Sequence, residues 1–227
     1  MIEIVQRPTS IVSGLVMISK DQILTWLTAY INIVTVNADE LNRLDSALGD
    51  GDFGASMLRG VQAITNKMQG IADKDIGVIF KTIGMALVSA MGGTSGPLLG
   101  TMFIQMGGKT AGKQSLSLTE WTDALQAGID GIMARGKAQV GDKTMLDALV
   151  PALDALNAAD GTDLIAALRQ SAEAAKQGRD DTANIIAKKG RASYVGERGL
   201  GNIDPGAANI YLFLNALAET AAMTAMD

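Results

Sequence analysis

Three aspartates within eight residues form the part of the chain best suited to chemistry. Asp45, Asp50 and Asp52 lie in the stretch Leu-Asp-Ser-Ala-Leu-Gly-Asp-Gly-Asp-Phe-Gly, residues 44–54. The glycines beside Asp50 permit backbone angles that other residues avoid, so we expect a helix to end here and a tight turn to fold Asp50 and Asp52 back toward Asp45. Converging carboxylates repel one another and stay ionised together only beside a compensating cation. Oxygen ligands without Cys or His favour magnesium, manganese or calcium over zinc.

The same glycines make a second kind of contact available. Backbone N–H groups in an open, glycine-rich turn can approach an anion closely. Carboxylates, a metal ion and accessible amides together predict a site for the phosphates of a metal–nucleotide complex. The pattern alone leaves one alternative open, because Asp-Gly pairs are common turn formers and a solvated loop has the same composition.

Histidine and cysteine are both missing from the 227 residues. Their absence excludes a Ser-His-Asp triad, a histidine base, a phosphohistidine, a thiolate nucleophile and a disulfide framework within this chain. Any histidine chemistry must therefore come from a partner. The net charge of −5 argues against nucleic acid as a partner. A chain without cysteine fits a reducing compartment, and we expect a cytoplasmic protein.

Residues 1–16 are predicted to be an N-terminal extension ahead of a single domain over residues 17–227. Their apolar run is short and follows Glu3 rather than a basic region, so a signal peptide is not expected. Whether they are native and ordered stays open. Residues 82–108 carry no charge, which raises the question of a membrane span. Seven glycines and Pro97 in that run favour two buried helices joined by a loop, and no membrane partner is expected.

Helical periodicity extends through almost the whole chain and predicts an all-α domain of eight or nine helices. Residues 19–22 and 117–120 read as capping boxes that open two of them, toward Leu44 and Gly136. The other helices are predicted over residues 56–68, 73–91, from Pro97 onward, 145–158, 162–177, 181–189 and 205–225.

Four glycine-rich loops join these helices and carry charges or hydroxyls. They span residues 49–54, 92–97, 136–145 and 190–206. If successive helices run up and down, the loops gather at one end of a bundle and surround one ligand.

Individual residues of these loops suggest contacts with a nucleotide. The run of small residues at 92–96 could cradle phosphate before a helix N-terminus, with a plain helix–helix turn as the alternative. Met145 could lie against an adenine ring, or simply begin a helix. Arg191 or Arg198 could hold phosphate, with surface salt bridges as the alternative.

Taken in order, these motifs resemble the ADP-binding L subunit of bacterial dihydroxyacetone kinase, the DhaL-type family. The resemblance covers roughly residues 18–225, and the set is specific although each motif alone is weak. It is carried by residues 44–54, 57–60, 72–77, 92–98, 135–138, 141–145, 190–194, 196–198 and 204–207.

The resemblance implies a closed barrel of eight antiparallel helices that holds a nucleotide in loops at one end. It implies that Asp45, Asp50 and Asp52 bind Mg²⁺, and that the metal bridges the phosphates of ADP or ATP. Two Mg²⁺ ions are implied. It assigns no catalytic residue to this chain. The implied nucleotide-binding residues are Phe53, Gly54, Ala55, Ser56, Thr94 and Ser95 at the phosphates, Gly136 and Met145 at the base, and Arg191, Asp204, Pro205 and Gly206 around the rest of the pocket.

The resemblance also implies partners. In the phosphoenolpyruvate-dependent version, a phosphohistidine on an M-type subunit rephosphorylates the bound ADP. The resulting ATP phosphorylates dihydroxyacetone, which a histidine of the K-type subunit holds. This division suits a chain without histidine. Some members have their nucleotide state read by a transcription regulator. The phosphoryl donor and the oligomeric state, a homodimer included, stay open.

The chain departs from the family pattern at two places. Phe53 stands where the family usually has histidine, and Gly201-Asn202 stands where a Gly-His pair is common. The first departure borders the phosphate loop and bears on activity. Three alternatives therefore stay open: a transfer-deficient regulatory or adaptor paralogue, an L subunit for another short ketose such as a tetrulose, and a purely structural helical bundle.

Overall fold

The computed structural model describes residues 17–224, so the predicted extension over residues 1–16 lies outside the described residues. The described part is built from eight α-helices, which confirms the all-α prediction. Their bounds are α1 Lys20–Ser46, α2 Phe53–Ile71, α3 Ile76–Ala90, α4 Ser95–Lys109, α5 Leu118–Gly136, α6 Leu146–Ala158, α7 Leu164–Asp181 and α8 Pro205–Thr224. A short antiparallel pairing joins β1 (Ile18–Ser19) to β2 (Ser115–Leu116). None of the helices in the described part is long and apolar enough to cross a membrane.

Both predicted capping boxes are confirmed. The Ser19 hydroxyl accepts a hydrogen bond from the Gln22 amide at 3.2 Å, and the Gln22 side chain accepts one from the Ser19 amide at 2.8 Å. Ser117 and Glu120 make the same exchange at the start of α5. These bonds satisfy backbone donors that a helix leaves unpaired at its N-terminus, which is why α1 and α5 begin where they do.

An aromatic cluster fixes the centre of the molecule. Trp26 of α1 makes edge-to-face contacts with Phe80 of α3, Trp121 of α5 and Phe213 of α8. The Trp26 indole N–H donates to the Phe213 carbonyl at 3.0 Å. Each helix packs against the next along the chain, and α8 packs against α1. The cluster therefore joins helices that are far apart in sequence around one core.

The uncharged run at residues 82–108 forms part of a close helix pair, as the sequence indicated. Gly77 and Gly84 of α3 face Gly107 and Gly100 of α4, so the two helices run antiparallel. A Cβ atom on Gly84 would lie only 2.6 Å from the Gly100 carbonyl oxygen. Glycine is required at this interface because the backbones approach too closely for a side chain.

The prediction of a helix over residues 181–189 is wrong. After α7 the chain makes a single 3₁₀ turn, Thr182–Asn184, and continues in an extended conformation at Ile185. The Lys188 amide donates to the Asp142 carbonyl at 3.0 Å, a partner 46 residues earlier, rather than to the preceding helical turn. Tertiary hydrogen bonds thus override a short helical pattern. Two further 3₁₀ turns, Arg191–Tyr194 and Gly196–Gly199, precede α8.

Candidate metal and phosphate site

A cavity of about 800 Å³ opens where α2, α4, α6 and α8 begin. All four glycine-rich loops contribute to its wall. The predicted site residues that line it are Asp45, Asp50, Asp52, Phe53, Ser56, Thr94, Ser95, Gly136, Met145, Arg191, Asp204, Pro205 and Gly206. Residues as far apart in the sequence as Asp45 and Gly206 therefore meet around one space.

Two predicted residues, Gly54 and Ala55, do not belong to the cavity lining. A Cβ atom on Gly54 would lie 1.9 Å from the Ala38 carbonyl oxygen, so Gly54 lets α2 pack closely on α1. The Ala55 amide donates to the Asn42 side-chain oxygen at 3.0 Å. Both residues join α1 to α2, and their contact with phosphate stays a prediction. The other arginine considered from sequence, Arg198, also lies outside the lining.

The acidic turn, residues 45–52, is folded by a carboxylate that binds backbone amides. Oδ2 of Asp45, in the last turn of α1, accepts hydrogen bonds from the amides of Asp52 at 2.9 Å and Phe53 at 3.2 Å. Gly51 has a φ of +74°, the left-handed conformation that glycine adopts without strain. A Cβ atom on Gly49 would lie 2.7 Å from Oδ1 of Asp45. The glycines are therefore needed for the turn to close on Asp45.

This turn brings the three aspartates together. One carboxylate oxygen from each of Asp45, Asp50 and Asp52 lies within 4.8 Å of the other two. Among the described residues it is the one group of three or more acidic side chains with this spacing. Asp45 is half-buried and the other two are exposed, and the Arg191 guanidinium forms an ion pair with Asp50. An all-oxygen donor set of this kind fits Mg²⁺.

The carboxylates attract a cation, whereas the N-terminal ends of several helices attract anions to the same cavity. The first residues of α2, α4 and α8, and the residue before α6, line the same cavity. A helix N-terminus carries a partial positive charge, which favours anions. Basic side chains in the lining add to this field: Arg135, Lys188, Lys189 and Arg191. The cavity thus combines a carboxylate cluster with an anion-attracting wall.

Ser56, in the first turn of α2, has an unusual environment. Its side chain is buried, with 4% of the residue exposed, and its hydroxyl has no hydrogen-bond partner among the described residues. A buried polar group without a partner costs about 1–3 kcal/mol. Because Ser56 lines the cavity, a ligand oxygen placed there would satisfy the hydroxyl.

Lys143 is the residue whose role sequence reasoning missed. It is 1% exposed and its backbone φ is +59°. Its ammonium donates to the carbonyls of Ile185 at 3.2 Å, Gly199 at 2.9 Å and Asn202 at 2.7 Å. Burial lowers the pKa of Lys143, and the charge of Asp204 opposes that shift. No local pattern reveals these partners, which lie 42 to 59 residues further along the chain.

Asp204 lines the cavity and begins α8. Its Oδ2 accepts a hydrogen bond from the Ala207 amide at 2.7 Å and so caps the helix. Burial raises the pKa of Asp204 to about 7, and the nearby charge of Asp147 adds to the effect. The Ala207 bond and the charge of Lys143 act in the opposite direction. A carboxyl group with this pKa changes its charge near neutral pH.

Fold and cavity together define an all-helical domain that presents a carboxylate cluster and several helix N-termini at one end. The chain belongs to the DAK2 domain family, which it matches over residues 47–219. It is similar to the ADP-binding subunit DhaL of the PEP-dependent dihydroxyacetone kinase of Escherichia coli (strain K12), with 42% identity over 90% of this chain and 98% of that protein. It is 40% identical to the corresponding subunit of kinase 1 from Listeria innocua, over 88% of this chain and 96% of that one. The DhaL-type resemblance is thereby confirmed.

A solved structure has the same fold. The dihydroxyacetone kinase from C. freundii, in complex with AMP-PNP and Mg²⁺, superposes with a TM-score of 0.70 and 26% sequence identity. The match covers 96% of this chain and 37% of that one, so this chain corresponds to little more than a third of the longer kinase.

Proposed function

We propose that the chain is the nucleotide-binding subunit of a cytoplasmic, phosphoenolpyruvate-dependent dihydroxyacetone kinase, active only with K-type and M-type partner subunits. In this proposal the M-type phosphohistidine rephosphorylates ADP in the cavity, and the γ-phosphoryl group then passes to dihydroxyacetone on the K-type subunit. The observation that carries the proposal is the meeting of three carboxylates and several helix N-termini in one cavity. The DhaL relatives, whose names describe ADP-binding kinase subunits, support it.

Magnesium is the metal that the donor set fits. The proposed site holds two Mg²⁺ ions, with Asp45, Asp50 and Asp52 as their ligands. The oxygens of these side chains converge, and the group contains no nitrogen or sulfur ligand. When bound, Mg²⁺ neutralises the negative charge of the phosphate oxygens between which the phosphoryl group moves.

The residues of this chain bind and align the nucleotide. Ser56, Thr94 and Ser95 would contact phosphate beside the N-termini of α2 and α4, where the helix field favours anions. Met145 and Gly136, which also line the cavity, would hold the base. Since phosphoryl transfer depends chiefly on positioning and charge neutralisation, this division needs no catalytic side chain from the chain itself.

The proposed architecture is a closed barrel of eight antiparallel helices. The packing of each helix on its neighbour in sequence supports it, as does the packing of α8 against α1. In such a barrel the even-numbered helices would all begin at one end, which is where the cavity lies.

The first experiment tests the nucleotide site in the purified chain. Mass spectrometry and ultraviolet absorbance before and after strong chelation should show ADP that leaves with Mg²⁺, and calorimetry should show Mg-ADP rebinding. Asp50→Asn should lose most of this binding, whereas Asp39→Asn, an exposed aspartate elsewhere on α1, should retain it. A chain that neither retains nor binds Mg-ADP would overturn the proposal and favour a structural bundle.

The second experiment tests transfer. With K-type and M-type partners and a phosphoenolpyruvate-fed phosphocarrier system, the chain should support phosphorylation of dihydroxyacetone. Replacing the phosphocarrier system by free ATP should give little turnover. Erythrulose in place of dihydroxyacetone tests the tetrulose alternative, because a faster rate with erythrulose would reassign the substrate.

One observation favours a second function. Phe53 is mostly buried, lines the cavity beside the acidic turn, and presents an apolar ring where the family usually has histidine. A transfer-deficient regulatory or adaptor paralogue would bind Mg-ADP yet give no turnover with the partners. In that case Phe53→His should restore transfer, whereas in an active kinase subunit it should change the rate only modestly.

A further inference from the structure

A loop that carries Arg191 over the cavity has few packing contacts of its own. We call residues 186–198 the clasp loop. Only Ala187 within it is buried, and Tyr194 at its 3₁₀ turn is 87% exposed. None of its side chains belongs to the main hydrophobic core. Hydrophobic burial therefore contributes little to holding this loop in place.

Lys143 binds the chain on both sides of the clasp loop. Its ammonium donates to Ile185, directly before the loop, to Gly199, directly after it, and to Asn202, three residues further on. All three donors of the ammonium are used on backbone carbonyls, at 2.7–3.2 Å. The ammonium thus joins chain segments that are 17 residues apart. The Gly201 amide, which donates to the Ala183 carbonyl at 2.8 Å, links the same two segments and leaves the loop itself to be held at its ends.

The backbone at Lys143 provides an independent sign that its side chain is required. Its φ of +59° is a left-handed conformation, which disfavours lysine and suits glycine or asparagine. Strained backbone of this kind persists where the surrounding structure holds the residue in it, here through the three hydrogen bonds of the side chain. The adjacent Asp142 adds one more link, because its carbonyl accepts the Lys188 amide at 3.0 Å.

We infer that Lys143 is a positioning residue: by clamping both ends of the clasp loop, it holds Arg191 beside Asp50 at the mouth of the cavity. Its effect on nucleotide rests on the proposed function, whereas its effect on the loop does not. Lys143 acts through Arg191 and the loop, and it takes no part in phosphoryl transfer.

The test compares Lys143→Met, which removes the ammonium and keeps the length of the side chain, with Ser171→Ala. Ser171 is also buried and donates to one backbone carbonyl, that of Ala152, away from the cavity. In the absence of nucleotide, the backbone amides of the clasp loop should exchange hydrogen at least tenfold faster in Lys143→Met than in the unsubstituted chain. The exchange rates of the helices should not change. Ser171→Ala should leave the loop unchanged. Equal exchange of the loop in Lys143→Met and the unsubstituted chain would overturn the inference.

A second readout separates positioning from general destabilisation. Dissociation of a fluorescent Mg-ADP analogue should be at least tenfold faster in Lys143→Met. In an Arg191→Gln background the same substitution should have little further effect, because its consequence is transmitted through Arg191. Fully additive effects of the two substitutions would overturn the positioning role. A chain that binds no Mg-ADP would sink the proposed function, while loop exchange would still decide the role of Lys143.

Lys143→Arg covers the case in which the methionine variant does not fold. The planar guanidinium keeps the charge but cannot direct three donors at carbonyls that converge on one point. It should give a smaller acceleration of loop exchange in the same direction. Exchange identical to that of the unsubstituted chain would contradict the inference.

Discussion

The carboxylate of Asp45 accepts a hydrogen bond from the backbone N–H of Asp52 at 2.9 Å. This bond spans seven residues and brings together two side chains whose negative charges repel. Asp45 therefore has a structural task that the other acidic residues of the turn lack. Asp50, in contrast, extends toward the Arg191 guanidinium and supports no backbone amide among its described contacts.

Replacing Asp45 and replacing Asp50 should consequently have different effects on the free energy of unfolding. In chelator, Asp45→Ala should lower the free energy of unfolding by about 1–3 kcal/mol, because two backbone amides lose a charged acceptor. Asp50→Ala should change it little, since relief of repulsion offsets the lost pair with Arg191. Urea unfolding measures the first difference, and Mg-ADP titration should show that both variants lose affinity. Equal losses of stability would contradict the structural role of Asp45.

The α1–α2 contact should tolerate no side chain at Gly54. A Cβ there would lie 1.9 Å from the Ala38 carbonyl oxygen, a backbone atom that cannot move away cheaply. Gly54→Ala should cost about 3 kcal/mol or more, in the range of severe overpacking. The matched control is Gly70→Ala on the same helix, where nothing lies within 4 Å of the added atom.

The control variant should be more stable than the unsubstituted chain by about 0.5–1 kcal/mol, the ordinary gain when alanine replaces glycine in a helix. Thermal unfolding of the two variants makes the comparison. Similar melting temperatures for Gly54→Ala and Gly70→Ala would show that α2 can shift on α1.

Ser56→Ala should affect stability and binding in opposite directions. Without ligand, removing a buried hydroxyl that lacks a partner should leave stability unchanged or raise it by about 1 kcal/mol. Mg-ADP affinity should fall roughly tenfold, because one hydrogen bond to phosphate is lost. Ser89 on α3 is exposed, and its hydroxyl donates a hydrogen bond within its own helix. As a control, Ser89→Ala should change neither stability nor Mg-ADP affinity. An unchanged affinity would remove Ser56 from the phosphate site.

Asp204 should make stability fall as the pH rises through the acidic range. Its folded pKa of about 7 lies above the ordinary value of 3.8. Between these values the unfolded chain has lost the proton that the folded chain still binds, so folding becomes less favourable with increasing pH. The loss is complete above about pH 7.

Asp204→Asn removes this titration and keeps an oxygen that can accept the Ala207 amide. The free energy of unfolding of the variant should equal that of the unsubstituted chain near pH 4 and exceed it by about 1–2 kcal/mol above pH 7. This difference is reduced because the residue is partly exposed to solvent. Urea unfolding over this pH range measures the difference. A difference that does not vary with pH would show that the carboxyl group titrates normally.

Local patterns were sufficient for much of the fold. The capping boxes at Ser19 and Ser117 join residues three positions apart, so their geometry is contained in a single turn. The acidic turn could be anticipated for the same reason, because Asp45 reaches an amide only seven residues away. Glycine and Pro97 in the uncharged run at residues 82–108 also indicated two buried helices joined by a loop.

Only the tertiary structure decided what holds the loops around the cavity. Lys143 binds carbonyls that any residue type could supply, 42 to 59 residues away, so no sequence pattern marks them. The chain after α7 gave a helical pattern, yet distant hydrogen bonds such as that of Lys188 to Asp142 outweigh the weak propensity of a short run. Gly54 is constrained by the Ala38 carbonyl of another helix rather than by its own turn. Interactions within a turn can be deduced from residue types, whereas backbone partners from distant segments are set by how the helices pack.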